Sequence, residues 1–184
     1  MNSSEIKDAP GFLPAGQLFC FGLGFSSQAL AKRLLPQGWD VSGTVRGGHE
    51  DSRSKNISVC FFDGSRPTTE ISEAISHATH LLITIPPQPS GDVVLENFAE
   101  EISRARQLQW IGYISSTGVY GDTQGEWVDE SSPLLASTDR NRQRIEVESA
   151  WLKIGKDHGL PVMIFRCVGI YGPGRNLLVS VRQG

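Results

Sequence analysis

Leu18-Phe19-Cys20-Phe21 runs directly into Gly22-Leu23-Gly24-Phe25-Ser26-Ser27. The first four residues form a short apolar run, the pattern of a strand covered on both faces. Two glycines then allow a tight turn, and an amphipathic stretch over Ser26–Leu35 has helical spacing. Strand, glycine turn and helix in that order open a βαβ unit. The same alternation continues along the chain. Strands are expected at Leu18–Phe21, Val41–Val45, Ile57–Phe62, His80–Ile85, Trp110–Ser115 and Pro161–Arg166. Helices are expected at Ser26–Leu35, Thr69–His77, Asp92–Arg106 and Asp139–His158. Ser137, Thr138 or Asp139 can cap the last helix, and Gly159-Leu160-Pro161 stops it. The polar stretch Gly47–Asn56 between the second and third strands is too short for a full helix. This is an α/β pattern, a doubly wound parallel sheet of the Rossmann type with expected strand order 3-2-1-4-5-6.

Composition agrees with one such domain. The chain has 184 residues, 39% of them hydrophobic and 20% charged, which excludes disordered, collagen-like and coiled-coil classes. A net charge of −3 argues against a protein whose task is to neutralise nucleic-acid phosphates. Cys20, Cys60 and Cys167 are far apart and form no CxxC pair, and with the four histidines they make no metal-ligand spacing. Cys20 and Cys60 lie in apolar runs as small hydrophobes, which fits a reduced, cytoplasmic protein. No apolar stretch is long enough to span a membrane, and the polar N-terminus does not have the pattern of a signal peptide. Residues 1–16 are expected to be a flexible arm, and residues 17–184 the domain.

The glycine turn carries a ligand expectation. A dinucleotide site needs one glycine for the turn and a second so that backbone can approach the pyrophosphate. A small third residue lets helix and strand pack closely, and Ser27 stands there. The helix N-terminus then offers N–H groups to the phosphates. Gly22, Gly24, Phe25, Ser26 and Ser27 are therefore cofactor-binding candidates. At the end of the second strand an acid would accept the ribose hydroxyls of NAD, whereas an arginine suits the 2′-phosphate of NADP. The residue is Arg46, so NADP is expected rather than NAD. Asp63, closing the third strand, is placed to cap a loop near the adenine, or to serve only as a turn residue.

Two further strings narrow the reading. They are Tyr113-Ile114-Ser115-Ser116-Thr117-Gly118-Val119-Tyr120-Gly121-Asp122 and Arg166-Cys167-Val168-Gly169-Ile170-Tyr171-Gly172-Pro173-Gly174-Arg175. With the glycine turn and Arg46, they resemble the short-chain dehydrogenase/reductase superfamily, in its extended, atypical NAD(P)-dependent epimerase/dehydratase branch. The resemblance runs from Leu18 to the end of the chain. It implies further cofactor contacts at strand ends, at Ile85, Pro86, Pro87, Ser115, Cys167 and Val168. It also implies that Ser116, with Thr117 as its understudy, holds a substrate carbonyl or hydroxyl.

The family's proton-transferring YxxxK pair is absent. Asn141 sits about where the tyrosine would be, with Ile145 four residues on, and Arg144 can replace only the lysine's charge. Tyr120 is the nearest other phenol, in a string where it usually packs. Arg140, Arg142 and Arg144 look like a solvated helix start, since Glu146 and Glu148 follow at once. Family members continue past the second string into a substrate-binding portion, so that portion is expected to be truncated here. Leu177, Leu178, Val179 and Val181 are then expected to associate with a second copy. The implied activity is an NADP-dependent oxidoreductase or epimerase/dehydratase acting on a small hydroxylated or sugar-derived substrate. The alternatives are a non-catalytic, redox-sensing NADP-binding module and an inactive remnant.

Overall fold

A computed structural model describes residues 15–47, 56–176 and 181. Its six strands are β1 (Gln17–Phe21), β2 (Asp40–Val45), β3 (Ser58–Phe61), β4 (His80–Ile83), β5 (Trp110–Ser116) and β6 (Val162–Cys167). They form one sheet in the order β3-β2-β1-β4-β5-β6, with every neighbouring pair parallel. This is the expected doubly wound order. It turns at β1, where the chain leaves toward β2 on one side and β4 lies on the other. Ligand crevices in such sheets open at this point, outside the C-terminal strand ends.

Four helices connect the strands: α1 (Phe25–Leu34), α2 (Thr69–His77), α3 (Val93–Arg104) and α4 (Asp139–His158). Their ends follow local chemistry. The side chains of Thr68, Asp92 and Thr138 accept backbone N–H bonds at the starts of α2, α3 and α4. Gly159 ends α4 in the left-handed conformation, with φ of 68°. α1 stops one residue earlier than expected because Pro36 tightens the chain into a 3₁₀ turn over Leu35–Gln37. β4 is shorter than its apolar run because Thr84 leaves the ladder and two prolines follow.

Alternation along β1 divides the core in two. Phe19 and Phe21 face α2, α3 and α4, in a cluster with Phe62, Ile71, Phe98 and Trp151. Leu18 and Cys20 face α1 with Leu23, Ala31, Leu34 and Trp39. Burial pushes the Cys20 thiol up to about 12 and, aided by Glu70, the Cys60 thiol also to about 12, so both act as hydrophobes. On the α1 side of the sheet, Met163 and Phe165 of β6 remain exposed. No helix among the described residues is long and apolar enough to cross a membrane. Most of the expected N-terminal arm, residues 48–55, and Leu177, Leu178 and Val179 lie outside the described residues; Val181 is exposed.

Candidate functional site

The glycine turn sits at the C-terminal end of β1 and is held from both neighbouring strands. Gly22 has φ of 97°, a backbone that side chains rarely adopt, and a Cβ there would lie 2.5 Å from Thr84 Oγ1. Thr44 Oγ1 of β2 accepts from Gly22 N at 3.0 Å. Thr84, just past β4, donates to Phe21 O and Gly22 O at 3.1 and 2.8 Å. Ser27, fully buried, donates to Gly22 O at 2.6 Å, so the small third residue ties helix to turn. Gly24 caps α1 without a side-chain bond, and a Cβ there would meet nothing within 4 Å. The helix N-terminus therefore opens onto free space beside backbone amides, the cradle a pyrophosphate requires.

Two cavities meet at this turn, sharing Gly24, Thr84 and Pro86. The smaller, about 270 Å³, is lined by Gly22, Thr44, Val45, Arg46, Phe62 and Ile85 among others. No carboxylate lines it, and Arg46 has no ion pair among the described residues. Asp63 is not part of this wall; its carboxylate accepts from Ser65 N and Ser65 Oγ at 2.9 and 2.6 Å. Those bonds hold its pKa below the ordinary carboxylate value and make it a turn residue. Pro87 lines neither cavity.

The larger of the two, about 420 Å³, takes in Phe25, Ser26, Ser115, Ser116, Cys167 and Val168. These expected residues come together although they are drawn from three strand ends. Arg140, Arg144 and Arg175 also line it, and no Asp or Glu does. Ser116 Oγ accepts from Gly118 N at 3.2 Å, capping a 3₁₀ turn over Thr117–Tyr120, so its own O–H remains available to donate. Thr117 does not stand beside it; it lines a separate cavity of about 580 Å³ with Tyr120, Phe165 and Arg166. Asn141 does not line the larger cavity either, and its amide lies over Gly118, where a Cβ would come within 2.7 Å of Nδ2. Arg144 Nη1 donates to Ile114 O at 3.4 Å.

The three arginines at the start of α4 do not behave alike. Arg142 pairs with Asp139 at 2.5 Å in solvent, as the sequence suggested. Arg140 and Arg144, four residues apart on one helix face, both reach the cavity, which corrects their reading as part of a solvated start. Arg175 is held differently. Gly172 and Arg175 bridge each other in a tight turn, and the Arg175 guanidinium lies 5.4 Å from the Phe25 ring centroid.

Behind the cavity is a buried polar chain that sequence patterns did not reveal. Glu148 accepts from Ser115 Oγ, from Arg166 Nε at 3.1 Å and from Arg166 Nη2 at 2.9 Å. Arg166 Nη1 donates to Tyr120 Oη at 2.9 Å, and the guanidinium lies over the Tyr120 ring at 5.1 Å. The bonds to Glu148 push the Arg166 pKa further up, against the opposing effect of burial. Tyr120 is thus a packed, hydrogen-bonded phenol, the role that its string suggested. Tyr113 is fully buried, its hydroxyl near Arg144 but without a hydrogen bond of good geometry among the described residues, and burial raises its pKa well above the usual phenol value. Neither phenol lines the Ser116 cavity. Among the described residues no cluster of His, Cys, Asp and Glu could hold a metal ion.

No family model matches the sequence. The chain is 34% identical over 175 residues to Protein YeeZ of Escherichia coli strain K12, covering 84% of this chain and 59% of that protein. A functionally unknown conserved protein from Silicibacter pomeroyi superposes with a TM-score of 0.80 at 38% identity. That match covers 92% of this chain and 58% of the other. A protein from Methylobacillus flagellatus, provisionally assigned as an NAD-dependent epimerase/dehydratase, gives a TM-score of 0.73 at 28% identity, over 92% of this chain and 59% of the other. The chain thus spans under two thirds of the length of each of these proteins. In sheet order, glycine turn, strand-end strings and these relatives, the chain resembles the extended, epimerase/dehydratase branch of the short-chain dehydrogenase/reductase superfamily.

Proposed function

We propose that the two cavities together bind NADP and, beside Ser116 and α4, its substrate, and that the chain serves an NADP-dependent oxidoreductase or epimerase/dehydratase acting on a small hydroxylated or sugar-derived substrate. The observation that carries this is Arg46, which shares a cavity with the glycine turn where no carboxylate stands. The residues fit a dinucleotide. Gly24 leaves space for the pyrophosphate, Thr44 and Thr84 fix the turn, and Arg46 meets the 2′-phosphate. The name given to the Methylobacillus relative supports a nicotinamide cofactor. When bound, the cofactor supplies hydride transfer. Ser116 donates its O–H to the substrate oxygen, while Ser115, anchored on Glu148, fixes the wall beside it.

The test is a titration of NADP and NAD against wild type and Arg46→Ala. Loss of a charged hydrogen bond costs about 1.5–3 kcal/mol, so NADP affinity should fall about ten- to a hundredfold. NAD affinity should hardly change. An equal loss for both cofactors, or none for either, refutes the assignment. A second reading rests on Asn141, which puts an amide where the family's tyrosine belongs: a module that binds NADP without turnover. NADPH consumption over a panel of carbonyl compounds separates the two.

A further inference from the structure

We propose that Arg140 and Arg144 form an anion subsite in the Ser116 cavity, and that the substrate is an organic acid whose carboxylate or phosphate docks there. The proposal rests on the reading of the adjoining turn as the cofactor site. Both arginines line the cavity from one face of α4, and no acidic side chain lines it. The acids nearest along the helix are already taken. Asp139 is paired with Arg142, and Glu148 is held by Arg166 and Ser115. Arg140 and Arg144 are in no ion pair among the described residues.

Arg144 is the decisive residue. It is only 9% exposed; its guanidinium donates to Ile114 O at 3.4 Å and lies near the Tyr113 hydroxyl, and it meets no carboxylate among the described residues. A guanidinium carries five N–H donors in a planar fork. Burying that charge without a counter-charge is costly, and the fork matches a carboxylate or phosphate in bidentate fashion. The cofactor's pyrophosphate has donors of its own in the backbone N–H groups at the glycine turn. It belongs at the start of α1, where Arg175 already lies over Phe25. A substrate held by its acid group on α4 would present its carbonyl or hydroxyl to the Ser116 O–H on the opposite strand end.

The test uses the full chain, with and without saturating NADP. The probes are lactate and 3-phosphoglycerate, with lactamide and glycerol as neutral counterparts, followed by calorimetric titration. The acids should bind at least about tenfold more tightly than the neutral compounds. Arg140→Gln, at an exposed position, and Arg144→Gln should each weaken the acids about tenfold, and Arg144→Lys should retain part of the affinity. NADP affinity should stay within about twofold in all three variants. Acids binding no better than the neutral probes would overturn the subsite, as would acid binding unchanged in Arg140→Gln and Arg144→Lys. A parallel loss of NADP affinity would also overturn it, assigning the arginines to the cofactor's phosphates. Failure of wild type to bind NADP, with acid binding intact, would instead sink the cofactor reading alone.

Discussion

Replacing Arg166 by Met tests whether the polar chain behind the cavity holds the β5–α4–β6 corner together. Glu148 is 2% exposed and Arg166 17%, so the pair is mostly removed from water. Among the described residues Arg166 supplies three of the four hydrogen bonds on the Glu148 carboxylate, and Ser115 supplies the fourth. Methionine keeps much of the volume and removes the charge, so packing loss is small beside electrostatic loss. Breaking a buried pair by deleting one partner costs about 3–5 kcal/mol, because the remaining charge stays buried. The Tyr120 hydroxyl loses its donor as well. At about 2–4 °C per kcal/mol for a chain of this size, the melting point should fall by about 10 °C. Urea denaturation of wild type, Arg166→Met, Glu148→Met and the double variant would measure it. The double variant should recover most of the loss, since two apolar residues leave no orphaned charge. A single-variant loss below about 1 kcal/mol, or a double variant worse than Arg166→Met, would refute this account.

Gly24→Val should abolish dinucleotide binding while leaving the circular dichroism spectrum unchanged, because its Cβ would enter the ligand space and meet no protein atom within 4 Å. Gly22→Ala should instead destabilise the fold, through its positive φ and the Thr84 hydroxyl, so equal behaviour of the two variants would refute this division. Asp92, buried at the start of α3, has its pKa raised above 3.8, chiefly by burial and against its bonds from Leu95, Trp151 and Val94. A raised folded pKa contributes stability below 3.8 that is lost as pH climbs through the folded value. Wild type should therefore lose stability relative to Asp92→Asn as pH rises from about 4 toward neutrality, and parallel pH–stability curves would contradict it.

The fold was legible because burial on two faces leaves a plain mark. Leu18-Phe19-Cys20-Phe21 feeds both cores by simple alternation, and each strand run lies close to its expected limits. Helix starts were legible where a cap residue preceded an apolar face, as at Asp92 and Thr138. Strand ends were harder. His80–Ile85 reads as one apolar run, yet Thr84 leaves the ladder because its hydroxyl bonds the glycine turn on β1. Nothing in the local pattern distinguishes a threonine that pairs in a sheet from one that braces a neighbouring loop.

The site divides along similar lines. Gly22, Gly24 and Ser27 are close in sequence, so spacing alone brings them together, and Arg46 joins them because it follows β2, the strand paired beside β1. Glu148 and Arg166 meet only because α4 packs beside β6, and Arg175 only because its turn folds back over Phe25. Such pairs have no period to detect. The arginines of α4 were within reach of helical spacing, since residues four apart share a face. Glu146 and Glu148, which follow at once in sequence, gave them the look of a solvated stretch, but Glu148 is held by Arg166.

The frame of α4 also has a chemical consequence. A helix turns about 100° per residue, so cations at Arg140 and Arg144 lie on a stripe beside the one carrying Asn141 and Ile145. The cavity therefore receives fixed charge and no phenol. Arginine stays protonated at every working pH, and serine and threonine do not ionise there. Among the described lining residues of the Ser116 cavity no His, Asp, Glu, Lys or Tyr occurs, and Cys167 carries the one thiol. If the cavity turns over substrate, Cys167→Ser should then show a kcat/KM that is flat between about pH 6 and 9, apart from ionisation of the substrate itself. A bell-shaped profile in that variant would mean that a proton-transferring side chain from outside the described residues, or from another chain, completes the site.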